Sequence, residues 1–92
     1  MIQSFKHRGL HLFFVNGSLR GIPAAYSGKI ARLLDGLDAA LLPEDMNVIG
    51  FRFHELKGSK KGIYSVSVSG NWRITFKFDV NGPFNIDLED YH

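Results

Sequence analysis

Cysteine is absent from the chain, which excludes disulfides, thiolate zinc sites, thiol nucleophiles and thiol redox motifs together. Long apolar runs are absent as well, and nothing approaches the roughly 20 residues that a membrane-spanning helix needs. The start does not read as a secretory signal, because Lys6–Arg8 is followed at once by glycine and polar breaks. A cytoplasmic protein with no membrane partner is the expectation. There is no internal repeat, low-complexity stretch or long linker. What remains is ordinary globular composition, 45% apolar and 22% charged over 92 residues, enough for one domain spanning residues 1–92. Without disulfides or a thiolate metal site, the fold must lean on its apolar core or on a partner. The 8 Phe, 3 Tyr and 1 Trp supply bulk for that core.

Acids are missing from the first 34 residues, which carry Lys6, Arg8, Arg20, Lys29 and Arg32. Residues 35–50 then hold Asp35, Asp38, Glu44 and Asp45 with no base. Residues 51–78 carry six bases against Glu55 alone, and residues 79–92 hold Asp79, Asp87, Glu89 and Asp90 with no Lys or Arg. The net charge of +2 therefore hides two basic and two acidic blocks. Two basic blocks in so small a chain are able to form a patch that attracts phosphates; the plainer alternative is a solvated surface of mixed sign.

The hydrophobic period changes halfway. Leu10, Phe13 and Phe14 recur at helical spacing and stop at Asn16-Gly17. Pro23 suits the first turn of a second helix, in which Tyr26, Ile30, Leu33, Leu34 and Leu37 form one apolar stripe. Leu42–Asp45 reads as a loop. Beyond it the period drops to two: Tyr64, Val66 and Val68; then Trp72, Ile74, Phe76 and Phe78; then Phe84, Ile86 and Leu88. Gly70-Asn71 and Asn81-Gly82 separate these runs as hairpin signals, so the strands run antiparallel. Residues 51–57 read as a further strand and Ile2–Phe5 as a short one. The strands' apolar faces need cover, and the two helices are the only cover available. The expected fold is α+β: a small antiparallel sheet packed on one face by two N-terminal helices. The opposite sheet face then carries Ser65, Ser67, Arg73, Thr75 and Lys77.

Four groups of residues have chemical potential. Residues 53–62 hold His54, Lys57, Lys60 and Lys61 together with two glycines that allow close backbone approach to a ligand, although a solvated turn has the same composition. Arg73, mid-strand after Trp72, suits a two-pronged grip on phosphate or a strand-face ion pair with Asp87 or Glu89. The chain closes on Asp90, Tyr91 and His92, groups able to move or orient a proton, which a preceding strand would hold at the sheet's rim. His7 and His11 are four apart, but no acid nearby completes a metal site, so they read as surface histidines. His54, Asp90 and His92 form an N/O donor set without metalloenzyme spacing, and no metal or other cofactor is implied.

In order, Met1–Leu10, Arg32–Ala40, His54-Glu55-Leu56-Lys57-Gly58, Asn71–Phe76 and the closing Glu89-Asp90-Tyr91-His92 resemble the HigB toxins of the RelE superfamily over nearly the whole length. Glu55 departs from the proline common after the loop histidine in that family. The resemblance implies a RelE-like fold and a toxin of a type II toxin–antitoxin system. It implies a ribosome-dependent endoribonuclease that cleaves mRNA by metal-independent 2′-OH attack and so inhibits translation. The implied partners are a cognate helix-turn-helix (HigA-like) antitoxin, the ribosome and mRNA, with operator DNA met only through the antitoxin complex. The family's functional positions fall on His54, Lys57, Arg73, Asp90, Tyr91 and His92, and Lys60 and Lys61 add substrate-binding charge. A module of the same fold that binds RNA or protein with little or no catalysis is the alternative. Strict alternation puts Arg73 on the polar face, and Asp90 and His92 on the side of Phe84 with Tyr91 opposite; convergence then needs a bulge or a cleft at the sheet's rim, and the rim is expected.

Overall fold

A computed structural model describes residues 1–91. Helix α1 spans Arg8–Asn16 and helix α2 Ser27–Ala39; four strands follow, β1 His54–Glu55, β2 Tyr64–Ser67, β3 Trp72–Asp79 and β4 Gly82–Asp90. They form one sheet in the order β1-β2-β3-β4, each pair antiparallel. No helix among the described residues is long and apolar enough to cross a membrane.

Local chemistry sets the helix ends. His7 caps α1, its Nδ1 accepting from the Leu10 N–H at 3.1 Å. Gly17 closes the helix in the left-handed region at φ 76°, its N–H returning to the Phe13 carbonyl, a conformation that costs a glycine nothing. A short 3₁₀ turn, Ala24–Tyr26, leads into α2, which buries Ile30, Leu33, Leu34 and Leu37. Tyr26, expected on that stripe, stays 39% exposed because it lies in the turn before the helix axis is set. Leu42–Asp45 is more ordered than a plain loop: Pro43–Met46 is a 3₁₀ turn in which Asp45 accepts from the Leu41 and Leu42 N–H groups, and it buries Met46.

The helix stripes meet Val66, Ile74, Phe76, Ile86 and Leu88 on one sheet face, in the arrangement expected from the sequence. Burying each such side chain contributes about 1.5–3 kcal/mol. The N-terminal segment lies beside β4 and forms a single parallel bridge, Phe5 with Ile86, rather than a strand. It is held by Gln3 N–H to the Pro83 carbonyl and by Ile2 N–H to Asp38. A Cβ on Gly82 would lie 2.7 Å from the Met1 carbonyl oxygen, so this close approach requires glycine.

Two expectations about the strands change. The strand over 51–57 shrinks to His54–Glu55, since Arg52 takes φ 52° and breaks the extended run before it. Phe84 does not share a face with Ile86 and Leu88. Thr75 pairs with Asp87 but Lys77 with Phe84, so β4 carries one extra residue, and Asn85 absorbs it at φ 53°. Directly opposed residues share a face, which puts Phe84 beside Lys77 on the face away from the helices. The extra residue reverses the alternation on either side of it.

Candidate active site on the open sheet face

The face turned away from the helices is crossed by two rows of opposed residues. One runs His54–Ser65–Thr75–Asp87, the other Ser67–Arg73–Glu89. Ser65 and Thr75, which alternation puts on this face, are buried at its centre. Two hollows flank that centre.

The first, about 230 Å³, is lined by Arg52, His54, Ser65, Ser67, Arg73 and Tyr91. It is smaller than the roughly 300–1,000 Å³ of pockets that engulf a whole small ligand, a size suited to one linkage of a longer chain. Arg73 is mostly buried and its Nε–H donates to Glu89 at 2.9 Å, the ion pair anticipated from the sequence. The guanidinium also lies 4.7 Å from the centre of the Tyr91 ring. Such stacking is worth about 0.5–2 kcal/mol and fixes the plane of the cation. Glu89 engages Nε alone, which leaves the four Nη hydrogens outside that bond. Tyr91 is held in turn by its backbone N–H to the Asn71 carbonyl at 3.0 Å, which continues the β3–β4 pairing past Asp90.

His54 sits on the first strand of the sheet, and its Nδ1 lies 3.1 Å from the Arg52 carbonyl oxygen. A carbonyl only accepts, so Nδ1 carries the hydrogen and Nε2 of the neutral ring keeps its lone pair. Glu55 points elsewhere: it faces the covered side with Tyr64 and accepts from the Gly62 N–H at 2.9 Å, tying down the lysine loop.

The second hollow on this face, about 340 Å³, is lined by Lys6, Lys60 and Lys77 together with Leu56, Ile63, Thr75, Asp87 and Glu89 among others. Lys60 ends a 3₁₀ turn, Gly58–Lys60, that begins just after Lys57.

The sequence-predicted residues therefore separate. His54, Arg73 and Tyr91 meet in one hollow and Lys60 lies in the neighbouring one. Lys57 and Lys61 flank the turn and line neither. Asp90 is paired with Trp72, on the other side of the strand from Tyr91, and accepts from Asn71 Nδ2 at 3.4 Å. His92 lies outside the described residues. Among the described residues no cluster of three His, Asp or Glu side chains is placed to hold a metal ion. Reading the sequence missed Arg52, which lines the first hollow; its spacing of two from His54 within a basic block was the available signal. His7 and His11 serve the fold, one as the helix cap and the other stacked on Phe5 at 5.0 Å.

A cationic, histidine-bearing hollow on the free face of a helix-backed antiparallel sheet defines a small α+β protein equipped to meet an anion. Comparison with known proteins narrows that class. Residues 3–92 match the family described as RelE-like toxin of type II toxin-antitoxin system HigB. The chain is 40% identical to Endoribonuclease HigB of Proteus vulgaris over 92 residues, the full length of both. It is 32% identical to Toxin HigB-1 of Vibrio cholerae serotype O1 over 93 residues, covering 99% of this chain and 98% of that one. The chain belongs to the RelE-like HigB toxin family, as its sequence motifs implied, and a type II toxin has an antitoxin as partner.

Proposed function

We propose that residues 1–92 form a single toxin domain that acts as an endoribonuclease on mRNA in the translating ribosome. The observation that carries this reading is the convergence of His54, Arg73 and Tyr91, from three separate strands or strand ends, on one hollow. The name of the Proteus vulgaris relative supports the activity.

The chemistry needs no metal. The ribose 2′-oxygen forms a bond to the adjacent phosphorus while the bond to the 5′-oxygen breaks. The 2′-proton passes to a base and the 5′-oxygen takes a proton from an acid. Arg73 holds the phosphate through its Nη groups as charge builds in the transition state. His54 offers Nε2, and His92 is its partner in proton transfer. Asp90 orients an imidazole from the strand end, and Tyr91 stacks on a base or donates a proton. Lys57, Lys60 and Lys61 meet neighbouring phosphates. The antitoxin is HigA-like with a helix-turn-helix, and operator DNA is met only through the toxin–antitoxin complex.

The test is cleavage of a defined mRNA on programmed ribosomes at saturating magnesium. Wild-type protein is expected to cut on the ribosome and to leave the same RNA intact when it is naked. Arg73→Ala and His54→Ala are expected to lose cleavage, and a chelator selective for transition metals to leave it unchanged. Equal cutting of naked RNA would overturn the ribosome dependence. Full activity in both variants would overturn the site, and no cleavage by the wild-type protein would favour a binding module.

A further inference from the structure

Arg52 combines three features, of which the proposed reaction has drawn only on the carbonyl. Its backbone lies at φ 52°, a left-handed conformation that a residue with a Cβ rarely adopts. Its carbonyl oxygen is the partner of His54 Nδ1 at 3.1 Å. It lines the same hollow as Arg73 and Tyr91. Backbone strain held at the mouth of a site persists only where the surroundings enforce it. The chain at 51 and 53 does so here: Phe53 stacks on Tyr64 at 5.7 Å, and the Phe51 N–H and carbonyl are both bonded, to Val48 and Ser67. Between these anchors the left-handed residue turns its carbonyl to His54 and sets a cationic residue at the hollow.

The contrast with Arg73 matters. Glu89 partly neutralises Arg73. Among the described residues the Arg52 side chain meets no acid and makes no hydrogen bond. A buried-edge cation with its own counter-ion is suited to orientation, and an exposed cation without one to drawing in an anion. We propose that Arg52 is a second phosphate-holding residue of the RNA site, and that its left-handed backbone also positions His54 by holding Nδ1 through the carbonyl. The inference rests on the reading of this hollow as the RNA site.

Substitution separates the two roles. Arg52→Gly removes the guanidinium while glycine keeps the same φ and carbonyl without strain. Arg52→Lys keeps the charge. Single-turnover cleavage on programmed ribosomes is measured for each at several potassium chloride concentrations and fixed magnesium, relative to wild type on the same ribosomes. Arg52→Gly is expected to lose about 10²-fold in rate, the scale of one lost donor to a developing charge. It should also flatten the salt dependence by about 0.7 in log–log slope, one phosphate contact on single-stranded nucleic acid. Its pH profile should keep the wild-type shape, and Arg52→Lys should recover most of the rate. The positioning role has its own readout: the imidazole ¹⁵N spectrum of His54 should show hydrogen on Nδ1 in wild type and in Arg52→Gly. A near-wild-type rate for Arg52→Gly, or a defect that leaves the salt slope unchanged, would overturn the phosphate role. Hydrogen on Nε2 would overturn the positioning role. Arg73→Ala run alongside keeps the failures apart: if it cleaves normally the site itself is misread, and if only Arg52→Gly cleaves normally this inference alone fails.

Discussion

The two faces of the single sheet are built from the same strands and do opposite work. On the covered face Val66, Ile74, Phe76, Ile86 and Leu88 are buried against α1 and α2 with no polar side chain among them. On the open face lie Arg73, Lys77, His54 and Tyr91, with Ser65 and Thr75 buried at its centre. Alternation at period two puts core and open face on adjacent residues: Ile74 is buried and Arg73 lines the hollow. A substitution on one face should therefore read out in stability and on the other in rate, although the residues are neighbours in the chain.

The largest effect tests the covered face. Phe76 is almost fully buried between Tyr64 and Phe78, at 5.7 and 6.5 Å between ring centres. Phe76→Ala should lose about 3–5 kcal/mol of unfolding free energy, much of the roughly 5–15 kcal/mol that holds a small protein folded. Urea denaturation measures it, and a loss below 1 kcal/mol would mean that this face is not the core. The open face should behave in reverse. Arg73→Ala should lower ribosomal mRNA cleavage by about 10²–10³-fold while moving stability by only about 1 kcal/mol, the scale of an ion pair at the protein surface. A variant that loses activity only because it unfolds would break the comparison.

How much of this was legible in the sequence follows from what each feature depends on. Ile30, Leu33, Leu34 and Leu37, and the run from Trp72 to Phe78, declared themselves because burial at a fixed local period needs no knowledge of the partner. Parity placed Arg73 and Tyr91 on one face, residue type and the family resemblance singled out His54, and the Arg73–Glu89 pair was one of two foreseen. Arg52 offered only its spacing from His54, and the face of Phe84 was not legible. Both depend on a residue taking positive φ, at Arg52 itself and at Asn85. Tertiary contacts enforce that conformation, and no local pattern signals it. The separation of Lys57 and Lys61 from the hollows likewise depends on how the 3₁₀ turn folds back, not on their spacing.

The bulge that moved Phe84 gives an intermediate test of the comparison, because it decides which side chains reach which face. Asn tolerates the left-handed region and a β-branched residue does not. Asn85→Val should cost about 1–2 kcal/mol and Asn85→Gly close to nothing. Equal stability of all three would mean that β4 has slipped its register to restore strict alternation.

A smaller effect separates the two hollows of the open face. The lysine hollow includes Asp87 and Glu89, and Lys6 already lies 3.9 Å from Asp87. Flexible ammonium groups beside acids add affinity but little orientation. Lys60→Ala should therefore raise KM on programmed ribosomes about 2–5-fold with kcat unchanged, an effect that fades as salt screens the contact. A fall in kcat comparable to that of Arg73→Ala would move the reaction centre toward the loop.

The smallest effect at neutral pH returns to the covered face, at the rim where Tyr64 stacks between Phe53 and Phe76. Burial pushes its phenol above the ordinary tyrosine value of 10.0, and the nearby carboxylates of Glu55 and Glu44 add to the shift. The unfolded chain has no such constraint, so at alkaline pH it releases the phenolic proton before the folded chain does. Tyr64 therefore contributes its full stability below pH 10.0 and loses it as pH rises through the raised folded value. Between pH 7 and 9 wild type and Tyr64→Phe should keep a constant difference in urea midpoint. Above pH 10 the wild type should fall faster than Tyr64→Phe, which has no phenol to ionise. Absorbance near 295 nm should meanwhile show a late-titrating phenol that is missing from Tyr64→Phe. If the two proteins keep parallel stability curves to pH 11, the ring is as wet as the open face, and the division between the two faces stops short of this rim.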